Sequence, residues 1–311
     1  MQLSVVITTR NRKEALKACI SSVAAAAAGV GDWELIIVDD CSSDGTGSLD
    51  LAALGVPQGR LIRCAVQQMM VAARNIGARA AKGEYVLFVD DDNEVDPGMI
   101  ERLIESARAN PRYGIIGPSM HYFDGRVKYL DYQKINFFTG RTRGIIDRLG
   151  RAICDSDGVP NVFMIRRSVF ESCGYFDEKL IQTFTEPDFA FHAAAAGHLC
   201  GITPDAKTYH KIPRGEKLSP RVLGAEFPQK AYCLIRNRSW IIARHGKTHH
   251  KIVYWIFFSW LWPTIYSLLI LPSGRFDLIR LYWKGFWDGL NANGLSEASS
   301  RADLADHLGR Y

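Results

Sequence analysis

Along the N-terminal two thirds of the chain, short apolar runs alternate with longer stretches whose apolar positions recur at helical spacing. The runs cover residues 3–8, 34–38, 61–65, 85–89, 115–118, 162–165 and 200–203. The longest of them, rich in β-branched and aromatic side chains, show no polar alternation. Such short runs predict strands covered on both faces. Between them, residues 13–28, 70–81, 97–110, 167–173 and 185–197 read as helices. Pro97 and Pro187 fall in first turns, where a missing N–H costs little, and Gly197 follows the end of the last helix. Strand, helix and strand in this order predict right-handed βαβ units and a mostly parallel sheet flanked by helices. From residue 120 to 158 the periodicity weakens and aromatic and basic residues mix, the pattern expected of irregular lids or loops.

The last third changes character. Residues 220–244 read as a helix in spite of Pro228, and residues 252–271 form an apolar stretch rich in Trp, Tyr and Phe, interrupted by Pro263. That stretch has the ~20 apolar residues a bilayer crossing needs. Residues 276–287 alternate apolar and charged positions at helical spacing, as an interfacial helix does, and the polar tail from Asn291 reads as loosely ordered. The division expected is a sheet domain over residues 1–213 and a helical, membrane-associating region over 214–311.

Charge refines this picture only locally. The net charge of +5 is modest and does not indicate a nucleic-acid binder. Arg236, Arg238, Arg244, Lys247 and Lys251 cluster with no acid among them beside the apolar stretch, which points to a membrane surface. The seven cysteines are scattered, without a Cys-x-x-Cys pair, so neither a zinc site nor a disulfide framework is signalled and a reducing compartment is expected. The N-terminus lacks the basic region and small-residue cleavage site of a signal peptide and reads as the first strand.

The chemistry gathers where strands end. Tyr85-Val86-Leu87-Phe88-Val89 runs directly into Asp90-Asp91-Asp92, and Glu34-Leu35-Ile36-Ile37-Val38 into Asp39-Asp40. In open α/β sheets the C-terminal strand ends line the ligand crevice, and carboxylates one residue apart there suit a hard divalent cation that also takes phosphate oxygens. A solvated acidic turn is the plain alternative. Arg74 near the start of its helix is a candidate phosphate neighbour. Glu186 and Asp188 open another helix, where a dipole also accounts for acids. His210 follows the last strand.

Taken in order, Val38-Asp39-Asp40-Cys41-Ser42-Ser43-Asp44-Gly45-Thr46, Ala73-Arg74-Asn75-Ile76-Gly77, Gly83-Glu84-Tyr85, Phe88-Val89-Asp90-Asp91-Asp92, Gly174-Tyr175-Phe176-Asp177-Glu178 and Thr185-Glu186-Pro187-Asp188 resemble the family-2 glycosyltransferases of the GT-A, Rossmann-like fold. The resemblance covers about residues 3–210. It implies a hexosyltransferase-type, inverting transfer of a sugar from a nucleotide-diphosphate donor to a glycan or lipid-linked saccharide, in the biosynthesis of surface or secreted polysaccharide. By the same resemblance, Asp39 contacts the nucleobase, with Thr9 and Arg10 near the nucleoside. Asp90 and Asp92 are the outer residues of the family's Asp-x-Asp motif. Asp92 then ligates Mg²⁺ or Mn²⁺, Asp90 lies nearer the ribose or a metal-bound water, and His210 is a further ligand. The family's Glu-Asp pair falls on Thr185 and Glu186, a departure that leaves Glu186 as catalytic base and Asp188 as its rival. A non-catalytic nucleotide-sugar or glycan binder is the alternative.

Two other readings are set aside. Asp90, Asp92, Glu94 and Glu101 have EF-hand-like spacing, but Val95 stands where that loop needs glycine. A haloacid-dehalogenase-like phosphatase would carry its nucleophile after the first strand, where this chain has Thr8-Thr9-Arg10. For the C-terminal region, basic flanks on both sides and Pro263 leave a span, a re-entrant dip, or burial against a second copy of the chain open. The positive-inside rule puts the catalytic domain on the cytoplasmic side.

Overall fold

The computed structural model describes residues 1–212, 223–225 and 227–290. The expected basic loop at 213–217, the first residues of the helix at 220–244 and the polar tail from 291 lie outside these residues. Two compact units are present, the first comprising Met1–Lys134, Gly144–Asp177 and Glu186–Arg214, the second Ile135–Arg143, Glu178–Thr185 and Gly215–Tyr311.

The first unit begins β1 (Leu3–Thr9), α1 (Lys13–Ala26), β2 (Trp33–Asp39), β3 (Arg60–Arg63), α2 (Met70–Ala80), β4 (Tyr85–Asp90), β5 (Asn93–Val95), α3 (Met99–Ala109) and β6 (Tyr113–Tyr122). It continues through β7 (Lys128–Leu130), β8 (Tyr132–Asn136), β9 (Arg141–Ile145), β10 (Cys154–Asp155), β11 (Val162–Arg166), α4 (Arg167–Cys173), α5 (Thr185–Ala195) and β12 (Leu199–His210), although the end of β8 from Ile135, the start of β9 to Arg143 and the first residue of α5 are counted in the second unit. The main sheet runs β10-β12-β6-β11-β4-β1-β2-β3. β1, β2, β3 and β4 are mutually parallel, and β11 runs against them between β4 and β6. The part of the sheet built from β1 to β4 is therefore parallel, as their runs of uninterrupted apolar residues predict, and Leu3, Val5, Ile7, Leu35, Ile37 and Leu87 are wholly buried on one face while Val6, Ile36, Val38, Val86 and Phe88 pack on the other.

The structure departs from the sequence reading in two places. The tract at 120–158 is not irregular throughout, because β6 extends to Tyr122 and β7 to β10 follow. Their faces are only partly buried, so the apolar pattern that announces a core strand is missing. The strand expected at 200–203 runs on to His210, with register shifts against β6 at Leu199/Cys200 and Thr203/Lys207. Those irregularities and the exposed Asp205 and Lys207 hide it from a pattern search.

The second unit contains α6 (Pro228–His245), α7 (Thr248–Val253), a π-helical turn at Tyr254–Phe258, α8 (Leu261–Ile270) and α9 (Phe276–Leu290). Pro228 is the first residue of α6, where proline is well tolerated. Pro263 lies in the first turn of α8, just after the π turn, and the junction residues Val253, Tyr254, Ser259 and Trp260 all keep right-handed helical dihedrals. The π turn, closed by Ser259 N–H on the Tyr254 carbonyl at 2.8 Å, keeps both of those residues buried. With Pro263, Tyr266 and Ile270 they form the inward face. Leu278, Leu281, Tyr282, Gly285 and Gly289 are the buried face of α9, as its spacing predicts.

Candidate active site

Strand register aligns the ends that carry the polar residues. Thr9 pairs with Asp39 across β1 and β2, and Thr8 pairs with Asp90 across β1 and β4. Three neighbouring parallel strands thus stop at one level, and the loops that follow build a common crevice wall. The loop after β1 and the loop after β2 are tied together: Asn11 N–H donates to Ser42 Oγ at 2.9 Å and Ser43 N–H to Asn11 Oδ1 at 2.8 Å. Asn11 and Cys41 both adopt positive φ (52° and 63°), backbone strain that surrounding bonds must hold. Asp44 caps α1 from outside, accepting from Lys13 N–H at 2.9 Å, since Arg12 at the N-cap supplies no side-chain bond.

Asp39 is fully buried, accepts from Ser42 N–H through Oδ1 at 2.9 Å, and leaves Oδ2 without a hydrogen bond. The exposed Arg63 is the nearest cation, with Nε 3.9 Å from that oxygen. A buried carboxylate oxygen without a donor is costly unless a ligand supplies one. Asp40 differs: it accepts from Gln68 N–H and Met69 N–H at 2.5 and 3.0 Å and so fastens the start of α2 to the end of β2. Burial raises its pKa against those two bonds.

α2 lies close on β1, because a Cβ at Gly77 would meet Val6 Cγ1 at 2.3 Å. This approach delivers Arg74, buried, to Asp90 Oδ1 at 2.7 Å and to Glu186 Oε1 in a shorter contact. The next residue, Asn75, brackets Phe176: it donates to the carbonyl at 2.9 Å and accepts from the N–H at 3.1 Å. Two sequence motifs far apart in the chain are one hydrogen-bonded unit.

The three aspartates after β4 have three environments. Asp90 is desolvated, which raises its pKa against the charge of Arg74. Asp91 accepts from Thr9 Oγ1 at 2.7 Å and from Arg12 at 3.0 Å, yet burial still pushes its pKa up to about 6. Asp92 is half-buried, and His210 and Arg12 outweigh its desolvation and hold its pKa below the usual carboxylate range. Asp92 Oδ2 lies 3.2 Å from Arg12, and Oδ1 lies 3.0 Å from Asn93 Nδ2 and 3.6 Å from His210 Nε2. Tyr129 OH contacts His210 Nδ1 at 3.1 Å and Asn161 Nδ2 contacts Nε2 at 3.2 Å, fixing the ring.

Of the residues singled out from sequence, Arg74 joins Asp90 and Glu186, Asp92 faces His210, and Thr9 reaches Asp92 through Asp91 and Arg12. Asp39 stands at the next strand end, and Arg10 is exposed beside the charge of Asp40. Asp188 is buried on α5 with His192 Nδ1 3.5 Å from its Oδ2. Arg12, Asn93, Tyr129 and Asn161 were not singled out. Arg12 belongs to the polar loop directly after β1, a signal that was available; the other three reach the site only through pairing of distant strands. As donors for a cation, the Asp92 carboxylate and the His210 imidazole are close enough to share one ion, a set that suits Mn²⁺ and admits Mg²⁺.

The sequence profile described as "Glycosyl transferase family 2" matches residues 4–174. An uncharacterised protein of Sinorhizobium fredii is 27% identical over 236 residues, 70% of this chain and 25% of that protein. An undecaprenyl-phosphate 4-deoxy-4-formamido-L-arabinose transferase of Pectobacterium carotovorum is 31% identical over 146 residues, 46% of this chain and 44% of the relative. This chain therefore spans less than half of either relative's length. Among solved structures, S. aureus TarS residues 1–349 in complex with UDP-GlcNAc superposes with a TM-score of 0.59 at 15% identity, covering 94% of this chain and 81% of that one. The likeness extends the shared fold beyond the residues that the profile matches.

Proposed function

This chain belongs to glycosyl transferase family 2, and on that premise we propose that it is an inverting, hexosyltransferase-type enzyme taking a nucleotide-diphospho-sugar as donor. The alignment of Thr9, Asp39 and Asp90 at the C-terminal ends of three adjacent parallel strands carries this reading. Asp39 Oδ2, buried without a hydrogen bond, suits the N–H of a nucleobase, with Thr9 and Arg10 near the nucleoside. The complex of TarS with UDP-GlcNAc makes UDP the first nucleotide to test.

Asp92 and His210 would hold the divalent ion, with Asp90 nearer the ribose or a bound water because Arg74 already neutralises it. When bound, Mg²⁺ or Mn²⁺ neutralises the diphosphate leaving group. Glu186 is the base that takes the acceptor hydroxyl proton, and Arg74 orients its carboxylate. Asp188, buried beside His192, is its rival. The acceptor is a glycan or a lipid-linked saccharide; the lipid-linked sugar transferase of Pectobacterium carotovorum and a succinoglycan biosynthesis protein of Rhizobium meliloti among the relatives support that class.

The second unit attaches the enzyme to the cytoplasmic face of the membrane. Thr248–Ser273 is, among the described residues, the stretch long and apolar enough to cross a bilayer. It is nevertheless bonded along one side to α6, with Tyr254 OH 3.0 Å from Ser239 Oγ and Arg238 2.8 Å from Tyr266 OH. Ile252, Ile256, Phe257, Trp260, Leu268 and Leu271 point the other way, exposed, with Lys247 and Lys251 beside them. A helix apolar outside and bonded to protein inside suits lying in the interface better than spanning. Thermal shift with a panel of nucleotide sugars, with and without Mn²⁺, tests the donor reading, because bound ligand raises apparent stability. A Mn²⁺-dependent shift by one nucleotide class is expected, and no shift by any would refute it.

A further inference from the structure

β7 reaches the acid cluster through an irregularity. It pairs with β6 by Met120 with Leu130 and His121 with Lys128, so Tyr129 between them lies opposite no residue of β6. An extra residue of this kind bends its strand and re-aims its side chain. The Tyr129 ring packs on Tyr122 with centroids 4.5 Å apart, and its hydroxyl reaches His210 Nδ1 at 3.1 Å. His210 ends β12 between two strands, opposite Tyr122 on β6 and Asn93 on β5, and its carbonyl accepts from Phe123 N–H at 3.0 Å and Ile212 N–H at 2.9 Å. With the backbone pinned on both sides, what remains to be decided is which ring nitrogen carries the proton.

Asn161 decides it. Its carbonyl accepts from Asp90 N–H at 3.2 Å, which holds it at the end of β4, and its side-chain Nδ2 lies 3.2 Å from His210 Nε2. An amide nitrogen donates and has no lone pair to offer, so Nε2 must be the accepting nitrogen of the ring. Asp92 Oδ1, 3.6 Å from Nε2, is too far away to take a hydrogen bond from it. The ring proton therefore sits on Nδ1, where the Tyr129 hydroxyl oxygen accepts it. This is the form in which an imidazole ligates a metal, one nitrogen offering its lone pair while an outer partner holds the other N–H.

We propose that Tyr129 is a positioning residue of the cation site: by accepting the Nδ1 proton, its hydroxyl keeps the Nε2 lone pair of His210 on the side of Asp92. Asn161 acts in the opposite sense, because its amide competes for that same lone pair. The proposal rests on Asp92 and His210 holding a divalent ion. All four residues belong to the first unit.

The test uses the full chain and Mn²⁺ alone, titrated at about pH 8, where an ordinary imidazole is neutral, and read from the electron paramagnetic resonance of the free ion. Tyr129→Phe, which keeps a ring against Tyr122, should weaken Mn²⁺ binding about 10–100-fold, the usual loss when the outer partner of a ligating histidine is removed. Asn161→Ala should tighten it about 3–10-fold, the release of one ordinary hydrogen bond. If the two contacts merely held the ring in place, both variants would weaken binding. That result, or unchanged binding in Tyr129→Phe, would overturn the proposal. The ¹⁵N shifts of the His210 ring, identified by their loss in His210→Ala, give a second measurement that does not depend on a variant at 129 folding: a proton on Nδ1 is expected, and a proton on Nε2 would overturn the assignment. His210→Ala also separates the proposal from its premise. Unchanged Mn²⁺ affinity there, or no Mn²⁺ binding by the wild type, removes His210 as a ligand and the role of Tyr129 with it, whereas a loss there with none in Tyr129→Phe overturns the positioning role alone.

Discussion

The guanidinium of Arg74, on α2, lies 2.7 Å from Asp90 Oδ1 at the end of β4, and its other terminal nitrogen holds Glu186. One buried cation therefore joins the acid cluster of the sheet to the start of α5. Replacing Arg74 with Met should destabilise the chain by about 2–4 kcal/mol, the loss of a buried pair reduced for the partial exposure of both carboxylates. Arg74→Lys should recover only part, because one ammonium cannot reproduce the two-ended fork. Denaturant titration checks this, and equal stability of Arg74→Met and wild type would remove Arg74 as the organising contact.

The nucleoside and the diphosphate should separate by mutation. Asp39→Asn keeps an oxygen for Ser42 N–H but turns the free acceptor into a donor, so uridine and UDP should both bind about 10–100-fold more weakly. Asp92→Ala should spare uridine and abolish the gain that Mn²⁺ gives to UDP. Calorimetry with both ligands decides, and equal losses in both variants would contradict the division.

The sequence makes the strands and this acid cluster legible for the same reason. β1, β2 and β4 are buried on both faces, so their apolar runs have sharp ends, and the carboxylates mark those ends. Partial burial conceals β7, β8 and β9, whose alternation is too weak to distinguish them from loop. Asn93, Asn161 and Tyr129 were equally hidden, since nothing local to them shows that β12 brings His210 among them. Arg12 differs, because it stands in the same polar loop as Thr9 and Arg10 and its side chain reaches both Asp91 and Asp92.

Asp91 supplies a pH dependence. Burial places its folded pKa at about 6, above the ~3.9 of an unfolded aspartate. The folded state then binds the extra proton between these values, so this group's contribution is complete below about pH 4 and is lost as pH rises through 6. In chelator, Asp91→Asn should flatten that part of the stability profile while retaining the contact with Thr9. An unchanged slope between pH 4 and 6 would refute the assignment.

Membrane attachment should depend on the outward face of the π turn and α8. The double variant Phe257→Glu and Leu268→Glu changes two exposed side chains and should leave UDP binding intact. The unaltered chain should float with liposomes containing anionic lipid, more than with neutral ones, and the variant should not. A chain that stays at the bottom of the gradient with both compositions would contradict the docking.

The central claim is that Glu186 deprotonates the acceptor, and the most direct measurement sets donor binding beside turnover in Glu186→Gln and Asp188→Asn. Glu186→Gln should bind the donor as the wild type does and lose turnover by the ~10²–10⁴-fold of a missing general base. Asp188→Asn should lose far less. If Asp188→Asn shows the larger loss with binding retained and Glu186→Gln keeps its turnover, the base is Asp188 and the account of the site is wrong at its centre.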